Sequence, residues 1–263
     1  MNRRMSVGTF AKSLYRILKG KPHIPPSVKD NALLQTILQR RSVRRFTEEP
    51  IPDDVFDAIL EAGRVAPSTV NLQTWSFAVF DSDQWRAKFE HFIPFRGVRA
   101  VIILTDTFRL RQAMDVFPYS PLIDHTVGVM NASLAAMNMN IAAEALGVSS
   151  VMLSETGRTG LLDMDFLIEK LGLPEGVIPL MTIVFGYAKS AYPPMPPRLP
   201  MNQITFTDMY SPADQTVLHD WVDQMEAGYK AMRPGSSFAR QVEVYCGKLG
   251  EAEKQLQKLI FHK

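Results

Sequence analysis

The sequence reads Arg-Arg-Ser-Val-Arg-Arg-Phe at residues 40–46 and Pro-Ser-Thr-Val-Asn-Leu-Gln-Thr-Trp at residues 67–75, within the stretch from Leu33 to Phe80. The first run follows an apolar helical pattern and places four guanidinium groups and a hydroxyl in its first six residues. The helix dipole favours one or two cations at a helix C-terminus, but it does not require four. Because arginine presents forked donors that match phosphate oxygens and stays charged at physiological pH, this run predicts a phosphate-binding segment.

The second run carries hydroxyls and amides but no charge. It follows a helix that Pro50-Ile51-Pro52-Asp53-Asp54 begins, and it precedes an alternating strand from Trp75 to Phe80. This set of donors and acceptors suits the polar edge of a heterocycle and a sugar-like chain. Taken alone, it is equally typical of a polar loop between a helix and a strand.

In this order and separation, the two runs resemble the FMN-binding signature of the nitroreductase family. The resemblance extends from about residue 33 to residue 204. It implies an α+β, nitroreductase-like fold with a central mixed or antiparallel sheet flanked by helices. It also implies an obligate homodimer that binds FMN between its two subunits, here with helical terminal extensions.

The resemblance further implies roles for individual side chains. The residues that correspond to the flavin site are Arg40, Arg41, Ser42 and Arg44 for the FMN phosphate and pyrimidine edge, Ser68, Thr69, Asn71 and Gln73 for the approach from the other subunit, Leu153 and Ser154 over the isoalloxazine near N5, and Arg198 as a late cation returning to the phosphate. Arg44 is the candidate for stabilising the negative charge that the reduced ring develops at N1 and C2=O.

The function implied is hydride transfer from NAD(P)H through FMN to an acceptor such as a nitroaromatic or a quinone, in a ping-pong sequence that uses one pocket. Two alternatives stay open: an FMN-dependent oxidase or dehydrogenase of a biosynthetic pathway, and a non-catalytic flavin-fold scaffold that docks a partner through its helical tail. The short segment from Asp81 to Arg99 disfavours the family's dehalogenases, which use a long lid. Glu155, where several relatives have a small or apolar residue, leads us to expect weaker use of anionic acceptors.

Composition excludes several other classes. A net charge of +2 over 263 residues does not favour nucleic acid as a partner. The five histidines and the single cysteine, Cys246, show no metal-ligand spacing, so we predict no metal site. The glycine-rich phosphate loops are absent, and neither a membrane-spanning window nor a cleaved signal peptide is evident. We therefore predict a cytoplasmic protein.

Three regions are predicted: a basic N-terminal arm at residues 1–30, the FMN-binding domain at 31–204, and a helical C-terminal extension at 205–263. In the arm, a helix over residues 9–18 is predicted to place its apolar side chains on one face, namely Phe10, Leu14, Tyr15 and Leu18. This helix is either a membrane-surface anchor or an arm that packs on the partner subunit. We favour the arm, because so short a helix buries little in lipid.

The remaining pattern predicts buried strands at residues 100–105 and 178–187 and a long helix from Asp124 to Leu146. That helix should be buried on most sides, with its methionines filling the core. Its predicted buried stripe comprises Val127, Met130, Leu134, Met137 and Ile141. Two amphipathic helices should follow residue 205. Their predicted faces comprise Val217, Leu218, Trp221, Met225 and Tyr229, and then Phe238, Val242, Tyr245, Leu249, Leu256 and Leu259.

Overall fold

A computed structural model describes residues 5–115, 119–154, 159–233 and 235–261. The chain divides into two compact units. One, the core unit, comprises residues 26–192 together with 249–263. The other, the helical unit, comprises residues 1–25 together with 193–248, so the N-terminal segment and most of the C-terminal extension belong to the same unit.

The core unit is built on a four-stranded sheet with the order β1-β2-β4-β3, in which all neighbouring strands are antiparallel. The strands are β1 (Trp75–Asp81), β2 (Arg99–Asp106), β3 (Ser149–Leu153) and β4 (Val177–Gly186). A parallel bridge from Ser42 to Ser150 attaches the arginine run beside β3. The predicted α+β fold with a central sheet is confirmed.

Helices flank this sheet. In chain order the helices are α1 (Val7–Lys19), α2 (Ala32–Gln39), α3 (Asp53–Arg64), α4 (Ser82–Phe89), α5 (Phe108–Ala113), α6 (Pro121–Ala145), α7 (Met164–Leu171), α8 (Gln215–Met232) and α9 (Phe238–Phe261). Helices α2 to α7 belong to the core unit, and α1 and α8 belong to the helical unit. Helix α9 contributes residues 238–248 to the helical unit and residues 249–261 to the core unit. Within the described ranges, no helix has the length and apolar content needed to cross a bilayer.

Alternate residues of β2 point into two separate hydrophobic cores. Val101 and Ile103 pack with residues of α3 and α6, whereas Ile102 and Leu104 pack with residues of α4 and α7. Because both faces of β2 are covered, the strand is a continuous apolar run, which made it readily predictable from the sequence.

Helix α6 turns its small residues, rather than its large ones, toward the core. Its fully buried positions include Ala132, Ala135, Ala136, Met139 and Ala143. At Gly63 of α3, an added Cβ would lie 2.2 Å from the terminal methyl of Met139, so the two helices approach very closely. In the single chain, α6 is therefore buried on the sides that face α3 and the sheet, and the burial of its remaining sides stays a prediction.

Much of the predicted stripe of α6 lies on the surface of the single chain. Met130, Leu134 and Met137 are 58%, 45% and 37% exposed. The side of α6 that packs on α3 and the sheet consists mainly of alanine and glycine, with Met139 as its one large apolar side chain among the described residues, and Met130, Leu134 and Met137 lie on the opposite face.

In the helical unit, α1 packs on α8. An ion pair joins Arg16 to Asp220, and Ile17 lies beside Gly228, where an added Cβ would be 3.3 Å from its Cδ1. The predicted apolar face of α1 coincides only in part with the side that packs on α8, because Tyr15 and Leu18 are 64% and 69% exposed, and its packing on a partner subunit stays a prediction. The side of the helix that packs on α8 is rotated relative to the predicted one.

The predicted face of α9 is occupied at its two ends. In the helical unit, the Phe238 ring lies 5.9 Å from Trp221 and 5.6 Å from Tyr229. In the core unit, the last turns pack on Met164 and Ile178. The middle residues of the predicted face, Val242, Tyr245 and Leu249, are 40%, 42% and 38% exposed.

Candidate cofactor site

The arginine run is fixed in an extended course beside the sheet. Helix α2 ends with Arg40 as its C-cap, whose N–H donates to the Thr36 carbonyl at 3.0 Å. Beyond it, Val43 N–H donates to the Ser150 carbonyl at 3.0 Å, which binds the run to β3. These contacts place the run at the β3 edge of the sheet.

Two apolar side chains of the run are buried and enclose two exposed arginines. Val43 and Phe46 are each 5% exposed and belong to one of the two cores. An added Cβ at Gly186 would come within 2.9 Å of the Phe46 ring, so glycine is required for the ring to pack this closely on β4. With these anchors buried, the side chains of Arg44 and Arg45 are exposed.

The arginines differ in how far the chain itself uses them. Arg41 Nη1 donates to the Leu38 carbonyl at 2.9 Å and to the Arg40 carbonyl at 2.8 Å, which helps to terminate α2. Arg44 Nη1 lies 3.5 Å from the Ser42 carbonyl, a distance at the limit of hydrogen bonding. Arg44 is therefore held loosely by the fold and is presented to solvent.

A partly buried carboxyl group accompanies the start of this run. Burial raises the pKa of Glu144 on α6, while a hydrogen bond with Tyr192 and the positive charges of Arg40 and Arg41 act in the opposite direction. Tyr192 is also linked to Ser149, with 2.9 Å between their hydroxyl oxygens. Within the described residues, Glu144 Oε2 is buried without a hydrogen-bond partner. The arginines thus lie beside an incompletely satisfied acceptor.

We expect Glu144→Gln to become more stable relative to the parent as the pH rises above about 4.5, the ordinary pKa of a glutamate. Because the folded-state pKa is raised, the folded parent binds more protons than the unfolded chain between the two pKa values. Its free energy of unfolding therefore falls as the pH rises through that window. The variant has no such proton to lose. Thermal melts of both proteins from pH 4.5 to pH 8 measure the difference.

Glu61→Gln is the control for this experiment. A hydrogen bond from Arg64 lowers the pKa of Glu61. The pH range in which the titration of Glu61 changes the free energy of unfolding therefore lies below about pH 4.5. Its difference from the parent should stay flat over the measured range. If the difference in melting temperature between Glu144→Gln and the parent is also flat, or shrinks as the pH rises, the pKa of Glu144 is not raised in the folded protein.

The second run forms a loop whose two ends are pinned by one buried amide. Asn131 of α6 is 1% exposed. Its Oδ1 accepts from the Thr69 N–H at 3.1 Å and lies 3.3 Å from the Thr69 hydroxyl. Its Nδ2 donates to the Thr74 hydroxyl at 2.9 Å. One side chain of α6 therefore sets the course of the loop between these two threonines.

This loop holds an unusual backbone. Val70, Asn71 and Gln73 have φ values of 50°, 56° and 49°, in the left-handed region that non-glycine residues seldom adopt. Such conformations cost about 1 kcal/mol or more each, so contacts outside the strained residues must maintain them. One is the Gln73 N–H, which donates to the Ser68 hydroxyl at 3.1 Å.

Arg109 of α5 holds the other side of the loop. Its Nε donates to Asp106 Oδ2 at 3.0 Å, and its Nη2 donates to the Trp75 carbonyl and lies 3.5 Å from the Gln73 carbonyl. Ser76 also donates to Asp106. Sequence reasoning missed both Arg109 and Asn131. A polar residue among the small residues of α6 was the available signal for Asn131, whereas no local pattern indicated Arg109.

The two runs lie at opposite edges of the sheet. The run at residues 40–46 is beside β3, and the run at 67–75 leads into β1, and these are the two edge strands. They also meet α6 at different points, near Glu144 and at Asn131. At a rise of about 1.5 Å per residue, these two points are roughly 20 Å apart along the helix.

The other predicted site residues are dispersed. Leu153, at the end of β3, is 6% exposed, and Ser154 follows it on the surface. Glu155 lies outside the described residues, so its effect on anionic acceptors stays a prediction. Arg198 is exposed in the helical unit. Its predicted return to the phosphate also stays a prediction.

The donor set of the first run fits a phosphorylated flavin. Exposed guanidinium groups suit a phosphate and a developing anion, and the Ser42 hydroxyl is a neutral partner for a heterocycle edge. Phosphate oxygens are strong acceptors, and the guanidinium of Arg44 makes only a 3.5 Å contact with the Ser42 carbonyl that would compete with them. The loop at residues 68–73 carries hydroxyl and amide side chains but no charged one, and such neutral donors and acceptors suit the uncharged flavin ring.

Comparison with known proteins places these features in a family. A family model described as "Nitroreductase family" matches residues 37–94 and 87–187, more than half of the chain. A Vibrio harveyi protein named NADPH-flavin oxidoreductase is 27% identical over 237 residues, covering 86% of this chain and 95% of the relative. A Salmonella typhimurium protein named oxygen-insensitive NADPH nitroreductase is 26% identical over 204 residues, covering 74% and 82%. The solved structure of NfrA2 from B. megaterium superposes with a TM-score of 0.73 at 23% identity, covering 88% of this chain and 98% of that one.

Proposed function

The chain belongs to the nitroreductase family, and from that premise we propose that it is an NAD(P)H-dependent flavin oxidoreductase with FMN as its cofactor. A relative from Bacillus subtilis, 27% identical over 202 residues, is named FMN reductase [NAD(P)H]. The observation that carries the proposal is the arginine run, which is bound to β3 by its backbone while the guanidinium of Arg44 remains exposed.

Each part of the run has a task in this proposal. Arg40 and Arg41 bind the phosphate, with Arg41 already oriented by its bonds at the end of α2. Ser42 binds the pyrimidine edge, and Arg44 stabilises negative charge at N1 and C2=O. A bound FMN would supply the redox chemistry, namely hydride uptake from NAD(P)H and electron transfer to an acceptor such as a nitroaromatic or a quinone that uses the same pocket in turn. The chain itself therefore needs no nucleophile.

We also propose that the working form is a homodimer with composite sites. A single chain separates the two runs along α6 by roughly 20 Å. The exposed apolar residues Met130, Leu134 and Met137 lie between the attachment points at Asn131 and Glu144 or directly beside them. If this face of α6 packs antiparallel on α6 of a second copy, the loop of one chain approaches the arginine run of the other. Burial of these side chains supplies the driving force.

Leu134→Glu should convert the dimer to a monomer and abolish FMN retention. A carboxylate at the centre of an apolar interface has to be desolvated without a partner, which costs several kcal/mol. Analytical ultracentrifugation and the flavin content of the isolated protein measure the two effects. Met114→Glu, at a side chain that is 45% exposed just beyond α5, is the control and should stay dimeric. A Leu134→Glu variant that remains a dimer with full flavin content contradicts this arrangement.

Steady-state kinetics test the proposed activity. FMN-loaded protein is assayed with NADH and with NADPH against a nitroaromatic, a benzoquinone and free FMN as acceptors. The proposal predicts oxidation of one or both nicotinamides and parallel lines in double-reciprocal plots, because reductant and acceptor use one pocket in turn. Failure to oxidise either nicotinamide with every acceptor, when the bound flavin is reduced by another donor, identifies an oxidase or dehydrogenase with a different substrate.

A further inference from the structure

Part of the apolar surface of α1 is left uncovered when the helix packs on α8. Val7, Tyr15 and Leu18 are 85%, 64% and 69% exposed, and Ala11 is exposed between them. Residues three and four positions apart share one side of a helix, so these four form a continuous stripe, here called the outer stripe. The outer stripe runs the length of α1, beside the side of the helix that faces α8.

The outer stripe has a basic border. Lys12 precedes Tyr15 by three positions and Lys19 follows it by four, and both lysines are exposed. These spacings place both side chains next to Tyr15 on the helix surface. Arg16 is different, because Asp220 of α8 already neutralises it. Residues 1–29 contain no aspartate or glutamate, so nothing in this part of the sequence offsets the charge of the border.

We propose that the outer stripe and its lysines bind the surface of a bilayer that contains anionic lipids. A helix lying in the plane of a bilayer buries an apolar side among the headgroups and directs lysines to lipid phosphates and carboxylates. Tyr15 has the apolar ring and polar tip favoured at this depth, and lysine stems extend along the apolar surface to reach the headgroups.

Packing on α8 removes one cost of lipid binding by so short a helix, which is the ordering of its backbone. A short isolated helix is marginal in water and has to be ordered when it binds lipid. Here α1 is already helical in the folded protein, fixed by the Arg16–Asp220 ion pair and by Ile17 against Gly228. The ordering entropy is therefore not lost on binding, and the outer stripe is presented in its bound conformation. The attachment is peripheral and reversible.

Vesicle co-sedimentation of the full-length protein tests this inference. Binding is expected to vesicles of phosphatidylcholine and phosphatidylserine but not to phosphatidylcholine alone, and to be lost in high salt because the attraction to lipid charge is screened. Lys12→Gln/Lys19→Gln should lower the partition coefficient roughly tenfold or more, since each lysine near an anionic surface contributes on the order of a fivefold effect. Leu18→Ser should lower it through lost apolar burial.

Matched variants elsewhere in the chain isolate the effect of α1. Lys254→Gln/Lys258→Gln on α9 removes the same charge, and Met232→Ser alters a side chain that is 71% exposed at the end of α8. Both should bind vesicles as the parent does, and all variants should keep the parent's melting temperature and flavin content. The inference is overturned by a parent that ignores anionic vesicles in low salt, by α1 variants that bind as well as the controls, or by α1 variants that instead dissociate an oligomer. The last result assigns the outer stripe to a second copy of the chain.

Discussion

Arg44→Ala is expected to weaken FMN binding by roughly 10- to 100-fold while the protein stays folded. A hydrogen bond to a charged group contributes about 1.5 to 3 kcal/mol, and each 1.4 kcal/mol corresponds to about tenfold in affinity. The fold does not depend on this side chain, because its contact with the Ser42 carbonyl is 3.5 Å long and its guanidinium is exposed. Titration of apoprotein with FMN, followed by flavin fluorescence, gives the dissociation constants.

A second readout separates an electrostatic role of Arg44 from simple contact. Loss of a cation near N1 and C2=O should lower the reduction potential of bound FMN, because it disfavours the form that carries negative charge. Arg44→Lys should restore the potential in part, since lysine keeps the charge but not the forked donors. Arg45→Ala removes the neighbouring exposed guanidinium and is the matched control. Equal FMN affinity and potential in the Arg44→Ala and Arg45→Ala variants contradict the role assigned to Arg44.

Asn131→Ala is expected to lower the free energy of unfolding by about 2 to 4 kcal/mol and to weaken FMN binding as well. The variant leaves the buried Thr74 hydroxyl unsatisfied, which costs about 1 to 3 kcal/mol, and it removes the hydrogen bond to the Thr69 N–H, which contributes about 0.5 to 1.5 kcal/mol. It also releases the loop that contains Val70 and Asn71 at positive φ. Urea unfolding and FMN titration measure the two effects.

The chain offers graded controls for this prediction. Asn131→Asp keeps an acceptor for Thr69 but cannot donate to Thr74 when ionised, so it should fall between Asn131→Ala and the parent. Asn138→Ala removes another amide of α6, which donates to the Ala62 carbonyl at 3.1 Å, and should leave FMN affinity unchanged. If Asn131→Ala unfolds like Asn138→Ala and binds FMN like the parent, Asn131 does not organise the loop.

Local sequence pattern was sufficient to predict a helix or strand where its own residues determine its type and its ends. The continuous apolar runs of β2 and β4 and the glycine that ends α7 were predictable, because each depends on a few neighbouring residues. Gly172 adopts φ of 64°, as a helix C-cap requires. The arginine run was noticeable for the same reason, since its charge density exceeds what the end of α2 needs.

Pattern failed where a distant partner decides which side of a helix is buried. The periodicity of α6 pointed to one set of its large residues, but packing on α3 and the sheet placed its alanines and Met139, which fills the space above Gly63, in the core. The contact of α1 with α8 was likewise missed, because α8 lies about 200 residues later in the chain and determines which side of α1 is covered. The same long-range contact joins residues 1–25 with 193–248 in one unit, an organisation that no local signal indicates.

The candidate site was predictable in its donors but not in its supports. Arg109 and Asp106 fasten the loop before β1 through hydrogen bonds to backbone carbonyls and to each other. Such contacts depend on where α5 passes the loop in three dimensions. Side chains that would bind a ligand directly are therefore easier to recognise in a sequence than side chains that position another residue.

Anaerobic reduction of the isolated protein is the sharpest test of FMN-dependent oxidation of NAD(P)H. We predict that the purified protein is yellow, that denaturation releases FMN, and that NADH or NADPH bleaches the flavin absorbance in the absence of oxygen, with the colour returning when a quinone is added. A colourless protein that takes up no added FMN, or a bound FMN that neither nicotinamide reduces, contradicts it.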